Sequence, residues 1–215
     1  NAALVRGLQK QAELTGVVKV EFIGAVSKGL EGKELAEMGD MAEAGVVAFS
    51  DDGHYVENAA FMRRALEYSS MFNKMVIDHA EDITLTKNGH MHEGIVSYEL
   101  GVIGRPAVAE DLAVARDILL SEMTGGHIHI AHVSSKNTVD MVRRAKAKGL
   151  NVTCEVTSQH LSFTDEYLRE YNPAFKMAPP IRSEDHRQAL LEGLKDGTID
   201  AIITDHAPHA YEEKD

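Results

Sequence analysis

Ile199-Asp200-Ala201-Ile202-Ile203-Thr204-Asp205-His206-Ala207-Pro208-His209 is the stretch on which the fold turns. Residues 199 to 203 read as a short buried strand, and the chain then runs at once into an acid followed by two histidines. Such groups at the carboxyl end of a buried strand can hold a metal and move a proton. Three earlier apolar runs end in similar chemistry. Val46 to Phe49 leads into Asp51-Asp52-Gly53, Met75 to Ile77 into Asp78-His79, and the run from His127 closes on His132.

Around these runs the chain alternates helical and strand patterns. Helices are expected over residues 1–14, where Leu4, Leu8 and Ala12 share a face, and over 34–44, 57–72, about 106–124 and 137–148, with a last one starting after Ser183. The strands between them are 17–23, 46–49, 75–77, 127–132, 151–156 and 199–203. Each is apolar on nearly every residue, as parallel strands covered on both faces are. Two architectures fit, an open doubly wound sheet and most of an eight-stranded β/α barrel. Both place ligands at the carboxyl ends of strands, but only a barrel gathers the ends of four separate strands round one site. The expectation is therefore α/β, a (β/α)8 TIM-type barrel with six of its eight βα units in residues 1–215, forming a single domain. The connection from about 83 to 105 is too long for a plain loop, so it should be functional or carry structure of its own.

Composition narrows the function. The chain has 215 residues, 44% apolar and 26% charged, which is ordinary for a globular protein. Its 22 basic and 34 acidic residues leave a net charge of -12, which argues against nucleic acid and anionic membrane as partners. Cys154 is the single cysteine, so no disulfide can form within the chain and a cytoplasmic setting is expected. No apolar run approaches the roughly 18 residues of a membrane span. The chain opens on Asn1 rather than methionine, and we read it as a fragment.

Asp52, His79, His132 and Asp205 form the candidate site, each at or near the end of a different strand. Imidazole and carboxylate suit zinc and related divalent ions, and a catalytic site leaves a position open for water. The chemistry so indicated is hydrolysis of an amide-like or ester-like bond. Each group also has a plain structural reading. Asp51-Asp52-Gly53 alone is a turn signal. His127 and His129 should face the helix layer, His90 and His92 should be solvated in the long loop, His186 should pack, and Cys154 should be a small buried hydrophobe. Four ligand-type groups at four strand ends make coincidence a poor explanation.

The motifs VVAFSDDG (46–53), VIDHAED (76–82), HIAHVS (129–134), CEVTSQHL (154–161) and TDHAPH (204–209), in this order, resemble the bacterial type I dihydroorotases of the amidohydrolase superfamily. The resemblance covers essentially the whole chain and implies a β/α barrel with one or two zinc ions. It implies that Asp52 bridges the metals, that His79 and His132 bind the second, and that Asp205 binds the first and shuttles the proton. It also implies that His209 contacts the substrate carboxylate. The reaction implied is reversible closure of N-carbamoyl-L-aspartate to L-dihydroorotate in pyrimidine synthesis. The absence of lysine between Val46 and Gly53 favours this over the related hydantoinases and allantoinases. Three departures stand out. The family's first-strand His-x-His and the arginine after it are not in this sequence, so the 215 residues alone should have little activity. Its substrate-contacting asparagine is replaced by Ala178, and its Pro-His before His160 by Ser158-Gln159. The alternative is an inactive dihydroorotase-like scaffold for aspartate transcarbamoylase; a homo-oligomer is the other assembly expected.

Overall fold

A computed structural model describes residues 1–213. In chain order the elements begin with α1 (Ala2–Thr15), β1 (Ile23–Gly24), α2 (Met38–Glu43), β2 (Ala48–Ser50), α3 (Ala59–Ser70) and β3 (Met75–Asp78). There follow α4 (Ile83–Thr86), β4 (Met91–His92), α5 (Ile95–Leu100), β5 (Gly104–Arg105), α6 (Val108–Thr124), β6 (Ile128–Ile130) and α7 (Lys136–Ala147). The last are β7 (Val152–Thr157), α8 (Ser158–Ser162), α9 (Glu184–Lys195) and β8 (Ala201–Ile203), with 3-10 turns at Asp165–Glu170 and Pro173–Phe175 between α8 and α9.

Six strands form one sheet in the order β1-β2-β3-β6-β7-β8, and β4 and β5 pair separately. The neighbours β1–β2, β2–β3 and β7–β8 are parallel. Each new strand of the large sheet is added at the same edge, in chain order. A doubly wound sheet reverses direction at a switch point, and among the described residues there is none, so the barrel reading stands. The long connection is structured: it holds α4, β4, α5 and β5, and β4 and β5 pair in parallel through Met91 with Gly104 and His92 with Arg105.

The chain forms two compact units. The first comprises Asn1–His79, Asp117–His129 and Leu150–Val152. Its core is built by Phe49 and Val76 of β2 and β3 with Met38 and Met41 of α2 and Phe61, Met62 and Leu66 of α3, all nearly inaccessible. Burying each such side chain contributes about 1.5–3 kcal/mol. The strand expected over 17–23 is reduced to Ile23–Gly24. Val17 is 98% exposed, and a run with nothing to pack against gains no burial to offset the entropy of extending it. Of the α1 stripe, Leu4 and Leu8 are exposed too, and only Val5 is buried.

The second unit comprises Ala80–Arg116, Ile130–Gly149 and the described residues from Thr153 onward. Val139 and Val142 of α7 and Leu190 of α9 are buried there with Ile130, Val156 and Ile199. Ser135 caps α7, its hydroxyl accepting from Asn137 N, while Arg144 and Lys146 occupy the last turn, where cations favour the helix dipole. Gly193 lets α9 approach α7: a Cβ on it would sit 2.7 Å from Val139 Cγ1.

Candidate metal centre and the cleft lined by His209

The end of β2 gives Asp51 and Asp52 different surroundings. Asp51 is buried, and its Oδ1 accepts from Val26 N at 2.8 Å and Ser27 N at 3.0 Å, while Ser27 Oγ donates to Oδ2. Asp51 is thus committed to the chain leaving β1. His54 N donates to Asp51 O at 2.9 Å, closing a turn in which Gly53 takes a φ of +83°. Ser50 Oγ accepts from Asp52 N at 3.0 Å and donates to Ile77 O at 2.9 Å, tying the ends of β2 and β3 together. Asp52 Oδ1 consequently lies 3.5 Å from Nδ1 of the buried His79.

His132 lies just past β6 and is buried, with a φ of +33°. Asp205, just past β8, has a φ of +47°. Left-handed backbone on a residue other than glycine costs on the order of 1–3 kcal/mol and persists where surrounding structure imposes it, often at functional sites. Among the described residues one group of metal-ligating side chains comes together. Asp52, His79 and His132 each offer an atom within 4.8 Å of the others. Two imidazoles and one carboxylate are a donor set that divalent ions accept, so the residues fit a metal. Asp205 stands outside that group, partly exposed at the end of β8.

The other predicted contacts share a cleft of about 190 Å³ lined by His90, Arg105, Lys176, Ala178, His209 and Glu213. His209 is exposed, its Nδ1 3.4 Å from Glu213 Oε2. Ala178 and His209, far apart in the chain, are therefore brought to one place, where four basic-type side chains face a single acid.

One group escaped the sequence reading. Glu110 and Arg182 are both buried, and Arg182 also bonds Ser134 Oγ at 3.0 Å. Burial by itself would raise the Glu110 carboxyl, but the Arg182 charge and the Ser134 and Ser135 donors hold it below the ordinary carboxylate range. His92, expected in solvent, is 7% exposed; this corrects the sequence reading. Its place in β4 turns it inward, where Arg182 donates to Nδ1 at 3.3 Å and the His186 ring packs edge-on at 5.3 Å. Burial, and next the Arg182 charge, lower its pKa to about 3. His186 packs as expected, its Nδ1 accepting from Lys136 N at 3.0 Å. Cys154 is fully buried, its thiol pushed up to about 12 by desolvation. His160, buried between Thr157 Oγ1 and Pro179 O, is lowered to about 4 by burial and then by the neighbouring His132. A buried ionic pair leaves no periodic trace in a sequence; the signals to look for were the Glu110 acid inside an apolar helix and Arg182 directly after Pro179-Pro180-Ile181.

The sequence profile of the Dihydro-orotase-like family matches residues 4–138. This chain belongs to the dihydroorotase-like family. It is 55% identical over 206 residues to a dihydroorotase of Pelotomaculum thermopropionicum, an alignment covering 96% of this chain and 48% of that relative. To a dihydroorotase of Streptomyces coelicolor it is 51% identical over 216 residues, covering 100% and 50%. The chain spans about half the length of these dihydroorotase relatives. In structure it is similar to an L-hydantoinase (dihydropyrimidinase) from Arthrobacter aurescens, with a TM-score of 0.84 at 25% identity, covering 100% of this chain and 49% of that one. The fold is accordingly the β/α barrel of that neighbour, six of whose strands this member of the dihydroorotase-like family supplies.

Proposed function

We propose that the protein to which this chain belongs is a zinc-dependent dihydroorotase, interconverting L-dihydroorotate and N-carbamoyl-L-aspartate. The observation that carries the reading is the convergence of Asp52, His79 and His132 in a chain about half identical to dihydroorotases. These three side chains would hold the ion, which when bound makes water acidic near neutral pH and polarises a carbonyl. Asp205, an acid on a short strand exit, is the base in this reading. In the hydrolytic direction a water oxygen bonds to the ring carbonyl carbon, and an Asp205 carboxylate oxygen takes its proton. The carbon–nitrogen bond then breaks, and Asp205 returns that proton to the departing nitrogen. The cleft that His209 and Ala178 share with Arg105 and Lys176 suits the substrate carboxylate, because its cationic side chains favour an anion.

We assign residues 1–215 to one partial barrel domain, which the family match supports by running unbroken through residues 4–138. The lone buried thiol of Cys154 accords with the reducing cytoplasm. A scaffold for aspartate transcarbamoylase has no chemical need for three converging ligands, and Ala178 is the one residue that favours it. The test is metal analysis and dihydroorotate hydrolysis on the full-length protein with Asp52→Ala and His79→Ala. Each variant is expected to lose bound metal and at least about 10³-fold in turnover, within the range by which removing essential catalytic groups slows enzymes. Unchanged metal content in both sinks the assignment.

A further inference from the structure

The segment that presents His132 is gripped from behind by a buried ion pair. Glu110, in the first turn of α6, lies 3.7 Å from the Arg182 guanidinium, and both side chains are under 5% exposed. Glu110 Oε1 accepts from Ser134 N and Ser135 N, each at 3.0 Å, and Ser134 Oγ donates to Oε2. Two successive backbone N–H groups, starting two residues after His132, thus point into one carboxylate. Val133 N meanwhile donates to Glu155 O at 2.8 Å on β7. Three consecutive N–H groups are so fixed directly after His132, whose φ of +33° is of the kind that surrounding structure must hold in place.

Arg182 makes the second half of the grip. Its Nε donates to Ser134 Oγ at 3.0 Å and its Nη1 to Arg105 O at 2.8 Å. Arg105 lines the cleft with His209, and Ala178, on the same cleft, is four residues before Arg182 in the chain. One buried pair therefore touches the backbone that carries a metal ligand and the backbone that frames the anion cleft.

The geometry points to Glu110 and Arg182 as positioning residues that aim His132 at the divalent ion and fix its place relative to the anion cleft. This rests on reading Asp52, His79 and His132 as a metal site. Neither residue belongs to the Asp52, His79 and His132 group; each acts through hydrogen bonds to the segment after His132 or to the backbone of Arg105. Partners that orient metal ligands in this way typically change metal affinity 10–100-fold when altered.

The test is a cobalt(II) titration of the full-length apoprotein, read by visible absorption, which reports ligand geometry independently of turnover. Glu110→Gln, folded by far-UV circular dichroism, is expected to bind cobalt about 10–100-fold more weakly, with an altered spectrum. Asp200→Asn is the control. Asp200 accepts from Cys154 N at 2.9 Å and pairs with Lys146 at 2.7 Å, so its variant also removes one carboxylate charge but leaves Ser134 N and Ser135 N their acceptor, and it should bind normally. Wild-type affinity and spectrum in Glu110→Gln overturn the proposal, as does an equal loss in Asp200→Asn. Should Glu110→Gln not accumulate folded, Ser134→Ala, which removes only the shared hydroxyl, carries the test: a several-fold loss supports the proposal and an unchanged affinity overturns it. His79→Ala separates the two levels. Cobalt binding that depends on His79 but not on Glu110 removes the positioning role and leaves the metal site; no His79-dependent binding removes both.

Discussion

Acid should destabilise this protein through His92, and replacing that one side chain should blunt the effect. The ring is buried in β4 against Arg182 and His186, and its pKa is lowered from 6.5 to about 3. A lowered histidine contributes stability that is fully present above the unfolded-state value of 6.5. As the pH falls below it, unfolded chains take up a proton that the native state refuses until about pH 3. Each pH unit within that window removes up to about 1.4 kcal/mol, so going from pH 6.5 to 4.5 should remove about 2–3 kcal/mol through this residue. The measurement is urea unfolding at pH 7.5, 6.5, 5.5 and 4.5 on full-length protein, stripped of metal, with His92→Asn alongside. Asparagine keeps an acceptor near the position of Nδ1 but does not titrate. His160, also lowered by burial, is present in both proteins and cancels in the difference, and both are compared in a His186→Asn background because that ring packs on His92. The variant should lose stability less steeply below pH 6.5, by about one proton's worth of slope. Parallel curves within about 0.5 kcal/mol would place His92 in water, where an isolated titrating side chain leaves stability indifferent to its protonation, and would refute the reasoning.

Two further outcomes follow from packing and from the cleft. Gly193→Ala gains helix propensity of about 1 kcal/mol but drives a methyl to 2.7 Å from the stiff Val139 side chain and 3.2 Å from Ile199, so a net loss of about 1–2 kcal/mol is expected in urea unfolding. A gain in stability would show that α7 and α9 yield at no cost. Ala178→Asn restores an amide to the cleft beside His209 and should lower KM for dihydroorotate several-fold with kcat little changed, since one net hydrogen bond is worth about 1 kcal/mol. A KM that stays put or rises would take position 178 out of substrate binding.

What could be read in advance, and what could not, divides along physical lines. Strands such as Met75–Asp78 and Ile128–Ile130 announced themselves because burial on both faces leaves continuous apolar runs, and the polar residue at each exit marks where the sheet ends. His79 and His132 were legible for that reason. Spacing alone does not separate Asp52 from Asp51, because the difference is made by Asp51's bonds to Val26 and Ser27, some two dozen residues earlier in the chain. The strand expected at 17–23 failed where local propensity lacked a tertiary partner. His92 was misread because a turn signal at 87–90 conceals how soon β4 begins. The Glu110–Arg182 pair was invisible because partners so far apart in sequence share no spacing rule.

The separate pairing of β4 with β5 bears on how this chain can change over evolutionary time. In the large sheet β6 follows β3 directly, so everything from His79 to His127 is an excursion that starts and finishes on neighbouring strands. Closing a longer excursion is cheap, since doubling its length costs only about 0.6 kcal/mol of chain entropy. Its β4–β5 pair is a separate sheet, and its Met91 and Val96 form a small cluster with Leu168 from the turn after α8. Mutations can therefore accumulate at the exposed positions of this excursion, redrawing the wall of the cleft at His90, provided that Glu110, His92 and the Arg105 carbonyl keep their hold on Arg182 and the strand exit bearing His132.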